Sequence, residues 1–278
     1  MNNDKLLRLK RIGIDVRRDC IRVQKKVKSG HLGGAFSALE MMIYLYYEKM
    51  NIDPANPLKE DRDIFILSKG HASIGYYSIL ARRGYFPLEE LMTYRKINSR
   101  LQGHSHIDDV PGVECSSGSL GQGISFGLGL ALGYTKQNMK NKVYVMIGDG
   151  ELEEGQNWEA ILLQKHLNLN NLIIIVDKNN LQLDDNCMNV LSLDRLEDKF
   201  NSFGYNVITI DGNDFYDIDE GFQKFDKDKP NVIISNTVKG KGISFMENKV
   251  EWHAKKVNEE EYISALKELD KQEVELNG

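Results

Sequence analysis

KVYVMIGDG, residues 142–150, ends a run of apolar residues on Gly-Asp-Gly, and NLIIIVDKNN, residues 171–180, repeats the pattern about one crossover later. Neither run alternates polar with apolar residues, so each predicts a strand covered on both faces. DIFIL (63–67), YNVITI (205–210) and NVIIS (231–235) share that character. From Ile147 to Val176 is 29 residues, from Val176 to Ile210 is 34 and from Ile210 to Ser235 is 25, each enough for a crossover helix. The expectation is an α/β fold with a doubly wound parallel sheet flanked by helices. No Pro/Ser-rich linker, repeat or long charge block divides the chain, so a single domain over residues 1–278 is expected.

Leu9, Ile12, Val16, Cys20, Val23 and Val27 recur at steps of three and four, which predicts an amphipathic helix ending near Ser29-Gly30. Ser37 and Glu40 have capping-box spacing, predicting a second helix from Met41 to Glu48. Residues 112–133 carry seven glycines, which suggests close backbone packing, with a helix starting near Ser119 and a cofactor able to lie against the turn before it.

Composition bounds the function. At 41% hydrophobic and 28% charged residues the chain is neither low-complexity nor disordered. A net charge of −5 argues against broad attraction to nucleic acid or an anionic membrane. No run approaches the roughly 18 apolar residues of a membrane span. Cys20, Cys115 and Cys187 are odd in number and widely spaced, supporting neither a disulfide framework nor a thiolate zinc site, and a reducing cytoplasm is the expected location.

The strand ends run into SKGHAS, GDGE, DKNN, DGND and NTVKGKG, and parallel sheets bind ligands beyond their carboxyl ends. Asp149 would project there, with Gly148 and Gly150 permitting close backbone approach, and Asn179 would end the next strand. Oxygens from adjacent strand ends suit a hard cation that also holds phosphate, so the pair suggests a magnesium-diphosphate anchor. Either motif alone reads equally well as a solvated turn. His31 (SGHLGG), His71 (SKGHAS), His104 and His106 (QGHSH) and His253 (EWHAKK) all fall in predicted loops. Converging imidazoles would suit proton transfer and hydroxyl binding on a sugar, whereas their spacing matches no compact zinc motif. His166, on the helical EAILLQKHLNL, is expected to be structural or solvated.

Taken in order, SGHLGG, LSKGHAS, QGH, GVECSSGSLGQG, GDGELEEG, DKNN and EWHA closely resemble the transketolase family over residues 12–260. The resemblance implies a thiamine-diphosphate-binding fold, specifically the diphosphate-binding domain. It implies that Asp149, Asn179 and the backbone carbonyl of Leu181 bind Mg2+, or Ca2+ or Mn2+ in its place. Gly150 would approach the diphosphate, Gly118 and Leu120 would line the cofactor rings, and Glu154 would join a charge network near the cofactor at a domain contact. His31, His71, His104 and His253 would surround the thiazolium and the sugar hydroxyls, with His71 and His253 also near the diphosphate; His106 has no family counterpart.

The implied activity is transfer of a two-carbon ketol unit from a ketose, phosphorylated in the family's manner, to an aldose acceptor, as in the pentose phosphate reactions. The family supplies the acid at the aminopyrimidine from a pyrimidine-binding domain, and only 25 residues follow His253. The chain thus resembles the N-terminal subunit of a split transketolase, with the pyrimidine-binding and C-terminal domains expected on a partner chain in an α2β2 heterotetramer. Synthases and two-subunit 2-oxo acid dehydrogenases also use GDG and NN, though SKGHAS and WHA favour transketolase. A non-catalytic cofactor-binding or regulatory subunit is the remaining alternative, disfavoured by retention of every expected histidine.

Overall fold

All five predicted strands form, each within two residues of its expected bounds. The computed structural model describes residues 1–277. In chain order its elements are α1 (Asn3–Val27), α2 (Leu32–Ser37), α3 (Leu39–Tyr44), β1 (Ile64–Leu67), α4 (Ser73–Arg83), α5 (Gly123–Lys136), β2 (Val143–Gly148), α6 (Gly155–Leu167), β3 (Leu172–Lys178), α7 (Cys187–Val190), α8 (Leu196–Ser202), β4 (Asn206–Asp211), α9 (Phe215–Gln223), β5 (Asn231–Asn236) and α10 (Glu259–Asn277). The strands form one parallel sheet in the order β1-β2-β3-β5-β4.

Successive side chains of a strand point to opposite faces, and here both faces are covered. Phe65, Tyr144, Met146, Ile173, Ile175 and Ile233 pack with α1, α3, α4, α9 and α10, whereas Ile66, Val145, Ile147, Ile174, Val176 and Val232 pack with α5, α6 and α8. Each such fully buried aliphatic side chain contributes about 1.5–3 kcal/mol, which is why these strands read as unbroken apolar runs. β4 departs from that expectation. It is one of the sheet's two edges, and unlike the other edge strand, β1, whose four residues are all buried, its residues alternate, with Ile208 and Ile210 buried and Thr209 and Asp211 exposed.

Helix boundaries were less legible. α1 starts six residues before the periodic stripe, capped by Asn2, whose side chain accepts from Lys5 N at 2.9 Å, and it ends on Lys28 in left-handed backbone. The Ser37-Glu40 pair is not a capping box. Ser37 closes α2 and donates its hydroxyl to Asp177 Oδ2 at 2.6 Å, while Glu40 pairs with the buried Arg17 at 2.7 Å. Buried ionic partners outcompeted a local cap. α5 begins at Gly123 rather than near Ser119, because Gly118 and Gly121 have φ of +138° and +85°, which a right-handed helix cannot continue. Within α5 the expected close packing holds for Gly123 and Gly127, whereas Gly129 and Gly133 face open space.

Candidate functional site

Strand register assembles the site. Gly148 pairs with Asp177, so the turn after β2 lies beside the turn after β3, and Asp149 N donates to Asp177 O at 3.2 Å. The Asp149 carboxylate accepts from Gly150 N at 2.9 Å and Asn180 N at 2.5 Å. Burial, and then the charge of Asp177, push this carboxyl up to about 6. Asn179 donates Nδ2 to Asp177 Oδ2 at 3.2 Å and accepts at Oδ1 from Leu181 N at 3.1 Å. The amide is therefore oriented, and a second lone pair on Oδ1 stays free for a cation.

Asp177 holds this region together. Its carboxylate accepts from Lys69 Nζ, from Ser37 Oγ at 2.6 Å and from Thr237 Oγ1 at 2.5 Å. A buried ion pair with every lone pair engaged is rigid, and removing one partner would leave an uncompensated charge. Glu151 ties the other side: it accepts from Ser68 Oγ, from Gly121 N at 2.9 Å and from Gly148 N at 3.1 Å, and burial raises its carboxyl.

These groups wall a cavity of about 230 Å³. Of the expected residues, His71, Leu120, Gly148, Asp149, Gly150, Asn179, Leu181 and His253 line it. His31 stands next to it, its ring centroid 5.7 Å from that of His71 and 5.4 Å from that of His253; the latter two are 5.0 Å apart. Burial lowers all three imidazoles, His31 to about 4, His253 to about 3 and His71 well below the usual range, so each is neutral at pH 7. Nearby Arg95, His104 and Lys239 add to the effect on His31, Lys239 to that on His253 and Lys69 to that on His71. Buried Nδ1 of His31 has no partner within the protein, which marks it for a ligand. His104 lies outside the cavity wall with Gly118 packed on its ring. Glu154 is exposed at the start of α6 and does not line the cavity; the acid that does is Glu151. His106 is exposed beside Asp109, and His166 is exposed on α6.

Two lysines in the wall, Lys69 and Lys239, carry no signal in the sequence that marks them as part of a site. Lys239 Nζ donates to Leu181 O at 3.1 Å and Gln182 O at 3.0 Å and lies 3.2 Å from His253 Nδ1. Burial, and then Lys69, lower it to about 8. Lysine is too common on surfaces to stand out, though both lie in the strand-end segments SKGHAS and NTVKGKG. Lys239 also shares the Leu181 carbonyl, whose second lone pair is the one left for a metal.

The donor set fits a diphosphate and a hard cation. Two lysines line the cavity and could offset phosphate charge, and Gly34 keeps the wall clear, since a Cβ there would meet His71 Nε2 at 2.9 Å. Among the described residues no three His, Cys, Asp or Glu side chains group as a metal site, so a cation held here would rely on Asp149 together with amide, carbonyl and phosphate oxygens.

Residues 13–273 match the family described as transketolase, thiamine diphosphate binding domain. The chain is 44% identical over 241 residues to one of the subunits of an apulose-4-phosphate transketolase of Actinobacillus succinogenes, covering 86% of this chain and 87% of that protein. It is 40% identical over 249 residues to a 6-deoxy-6-sulfo-D-fructose transketolase subunit of Clostridium sp. (strain MSTE9), covering 89% and 90%. Among solved structures, Campylobacter jejuni transketolase superposes with a TM-score of 0.85 at 28% identity, over 100% of this chain and 48% of that one. The chain thus spans about half of the single-chain enzymes and most of the separate transketolase subunits. Fold, strand-end site and these likenesses agree that the chain belongs to the transketolase family, carries its thiamine diphosphate binding domain and corresponds to the N-terminal subunit of the split enzymes.

Proposed function

We propose that this chain is the diphosphate-holding half of a two-chain transketolase that moves a two-carbon ketol unit from a ketose with a terminal anionic group to an aldose acceptor. The observation that carries the reading is the convergence of three neutral histidines on a cavity that also holds Asp149, Asn179, Lys69 and Lys239. The anionic terminus follows from the relatives, one named for a sugar phosphate and one for a sulfonated sugar. Likeness to proteins that are themselves single subunits of transketolases supports a partner subunit; in this reading it carries the pyrimidine-binding and C-terminal domains and completes an α2β2 assembly. A cytoplasmic setting suits three free cysteines and a sugar phosphate substrate, and no described helix is long and apolar enough to cross a membrane.

Asp149, Asn179 and the Leu181 carbonyl would hold Mg2+ on the diphosphate, Lys69 and Lys239 would offset its remaining charge, and Leu120 would face the cofactor rings. When bound, the cofactor supplies the electron sink that lets a bond next to a carbonyl break. The protein's part is proton traffic and orientation. Neutral imidazoles of His31, His104 and His253 can accept a proton from a sugar hydroxyl and return it, a role typically worth about 100–10,000-fold. Glu154, exposed near the rim, would meet the partner.

Co-purification with a candidate partner chain carrying a pyrimidine-binding domain, followed by assay with ketose phosphates and sulfonates in the presence of thiamine diphosphate and Mg2+, tests this. Ketol transfer is expected from the pair and almost none from this chain alone. Transketolase-like turnover by the chain alone would overturn the two-chain reading.

A further inference from the structure

Arg95 is exposed, and no carboxylate among the described residues pairs with it. Its backbone lies in the left-handed region at φ +57°, a conformation that non-glycine residues hold mainly where surrounding structure enforces it. Here the enforcement is visible. Arg95 N donates to Leu101 O at 2.8 Å, closing the loop, and the guanidinium lies over the Tyr94 ring at 5.9 Å from its centroid. Tyr94 is itself buried and bonded to Ser73 at 2.9 Å, and Ser73 donates to Gly103 O at 2.7 Å.

The guanidinium reaches two loops at once. Nη1 donates to Ser29 Oγ at 2.6 Å, two residues before His31. On its other side it rests on Gly103, the residue before His104, so closely that any Cβ there would overlap it. The two histidine loops are over 70 residues apart in sequence, and within the described structure this cation spans them. We propose that Arg95 is a positioning residue for ketol transfer, tying the loop of His31 to the loop of His104 so that both imidazoles meet the substrate hydroxyls as one unit; the catalytic part of this rests on the ketol-transfer reading.

The bridge has an electrostatic consequence. His31 is surrounded by the rings of His71 and His253 and by the charges of Arg95, His104 and Lys239, and His104 is held down by part-burial and then by Arg95. No carboxylate enters either account, so Arg95 is the cation common to both rings. Removing it makes each ring easier to protonate, and a protonated imidazole cannot accept a hydroxyl proton.

Arg95→Met, Arg95→Lys and Ser29→Ala, each compared with wild type, test the proposal. Histidine titrations followed by NMR in the full chain should move upward for His31 and His104 in Arg95→Met, with His166 unmoved as reference, and should stay near wild type in Arg95→Lys and Ser29→Ala. In the reconstituted pair, Arg95→Met should lower kcat/KM a few-fold more near pH 6 than near pH 8, as the His104 titration moves back toward the free imidazole range while His31, starting from about 4, stays largely neutral. Ser29→Ala and Arg95→Lys, which keep the charge and weaken the bridge, should lower kcat at all pH values without moving the acidic limb. Unmoved titrations in Arg95→Met, or a full kcat in both bridge variants, would overturn the proposal. If the wild-type pair shows no ketol transfer, the functional reading fails while the titrations still decide the coupling: moved rings uphold it and unmoved rings reject it.

Discussion

Replacing Asp149 by Asn should make the metal-free chain more stable at neutral pH while abolishing its proposed function. The carboxyl sits in the cavity floor with its ordinary value of 3.8 raised to about 6, first by burial and then by Asp177. A carboxyl raised on folding costs stability once it ionises. That cost is absent below about pH 4, grows as the native state is forced to shed a proton it holds more tightly than the unfolded chain, and is complete above about pH 6. A shift of about two units is worth on the order of 3 kcal/mol. Asn removes the charge but can accept only one of the two backbone hydrogen bonds that Gly150 and Asn180 donate, giving back about 1–1.5 kcal/mol. The net expectation is a gain of roughly 1.5–2 kcal/mol at pH 8 that falls with pH and becomes a loss of roughly 1–1.5 kcal/mol near pH 4, where only the missing hydrogen bond counts. Urea unfolding at the two pH values, with chelator present, measures it. Calorimetric titration of the assembled pair with thiamine diphosphate and Mg2+ should meanwhile show Mg2+-dependent binding lost. Asp149→Asn losing stability at pH 8, or retaining wild-type Mg2+-dependent affinity, would refute the reasoning.

Three further outcomes follow from the same site. His104→Ala should depress ketol transfer by about 100-fold or more while the holo-complex still assembles, and His166→Ala, exposed on α6, should leave turnover unchanged; equal turnover in both at saturating donor would exclude His104 from proton transfer. Lys239, lowered to about 8, loses its charge as pH rises through that value, so affinity for thiamine diphosphate should fall between about pH 7 and 9. Binding measured across that range should lose its slope in Lys239→Met, and a persisting slope would assign it elsewhere. Asp177→Asn should weaken Mg2+ binding without touching the metal, because one amide oxygen must then serve the four donors that share the carboxylate, Lys69 loses its counter-charge and Asn179 Nδ2 is held less firmly, and the effect should be seen by Mg2+ titration of the assembled pair as well as by activity.

The sheet was legible because Ile and Val runs buried on both faces need no partner information to be recognised, and the 25–34-residue gaps between them admit little but crossovers. β4 escaped that logic, since whether both faces of an edge strand are covered, as they are at β1 and not at β4, is decided by tertiary packing and not by the strand's own residues. The same division runs through the site. GDG and DKNN announced Asp149 and Asn179, because strand ends in a parallel sheet all face the ligand edge, and four loop histidines stood out by type and by family resemblance. Sequence could not reveal that Ser37 turns away from its cap to reach Asp177, 140 residues on, or that Glu151 rather than Glu154 enters the cavity. Nor could it mark Lys69, Lys239 and Arg95, whose type is ordinary on any surface. Local sequence carries backbone preference and apolar period, both short-range quantities. Charge pairing, burial and the bridging of distant loops depend on distances between residues far apart in the chain, and those exist only once the sheet has brought its strand ends together.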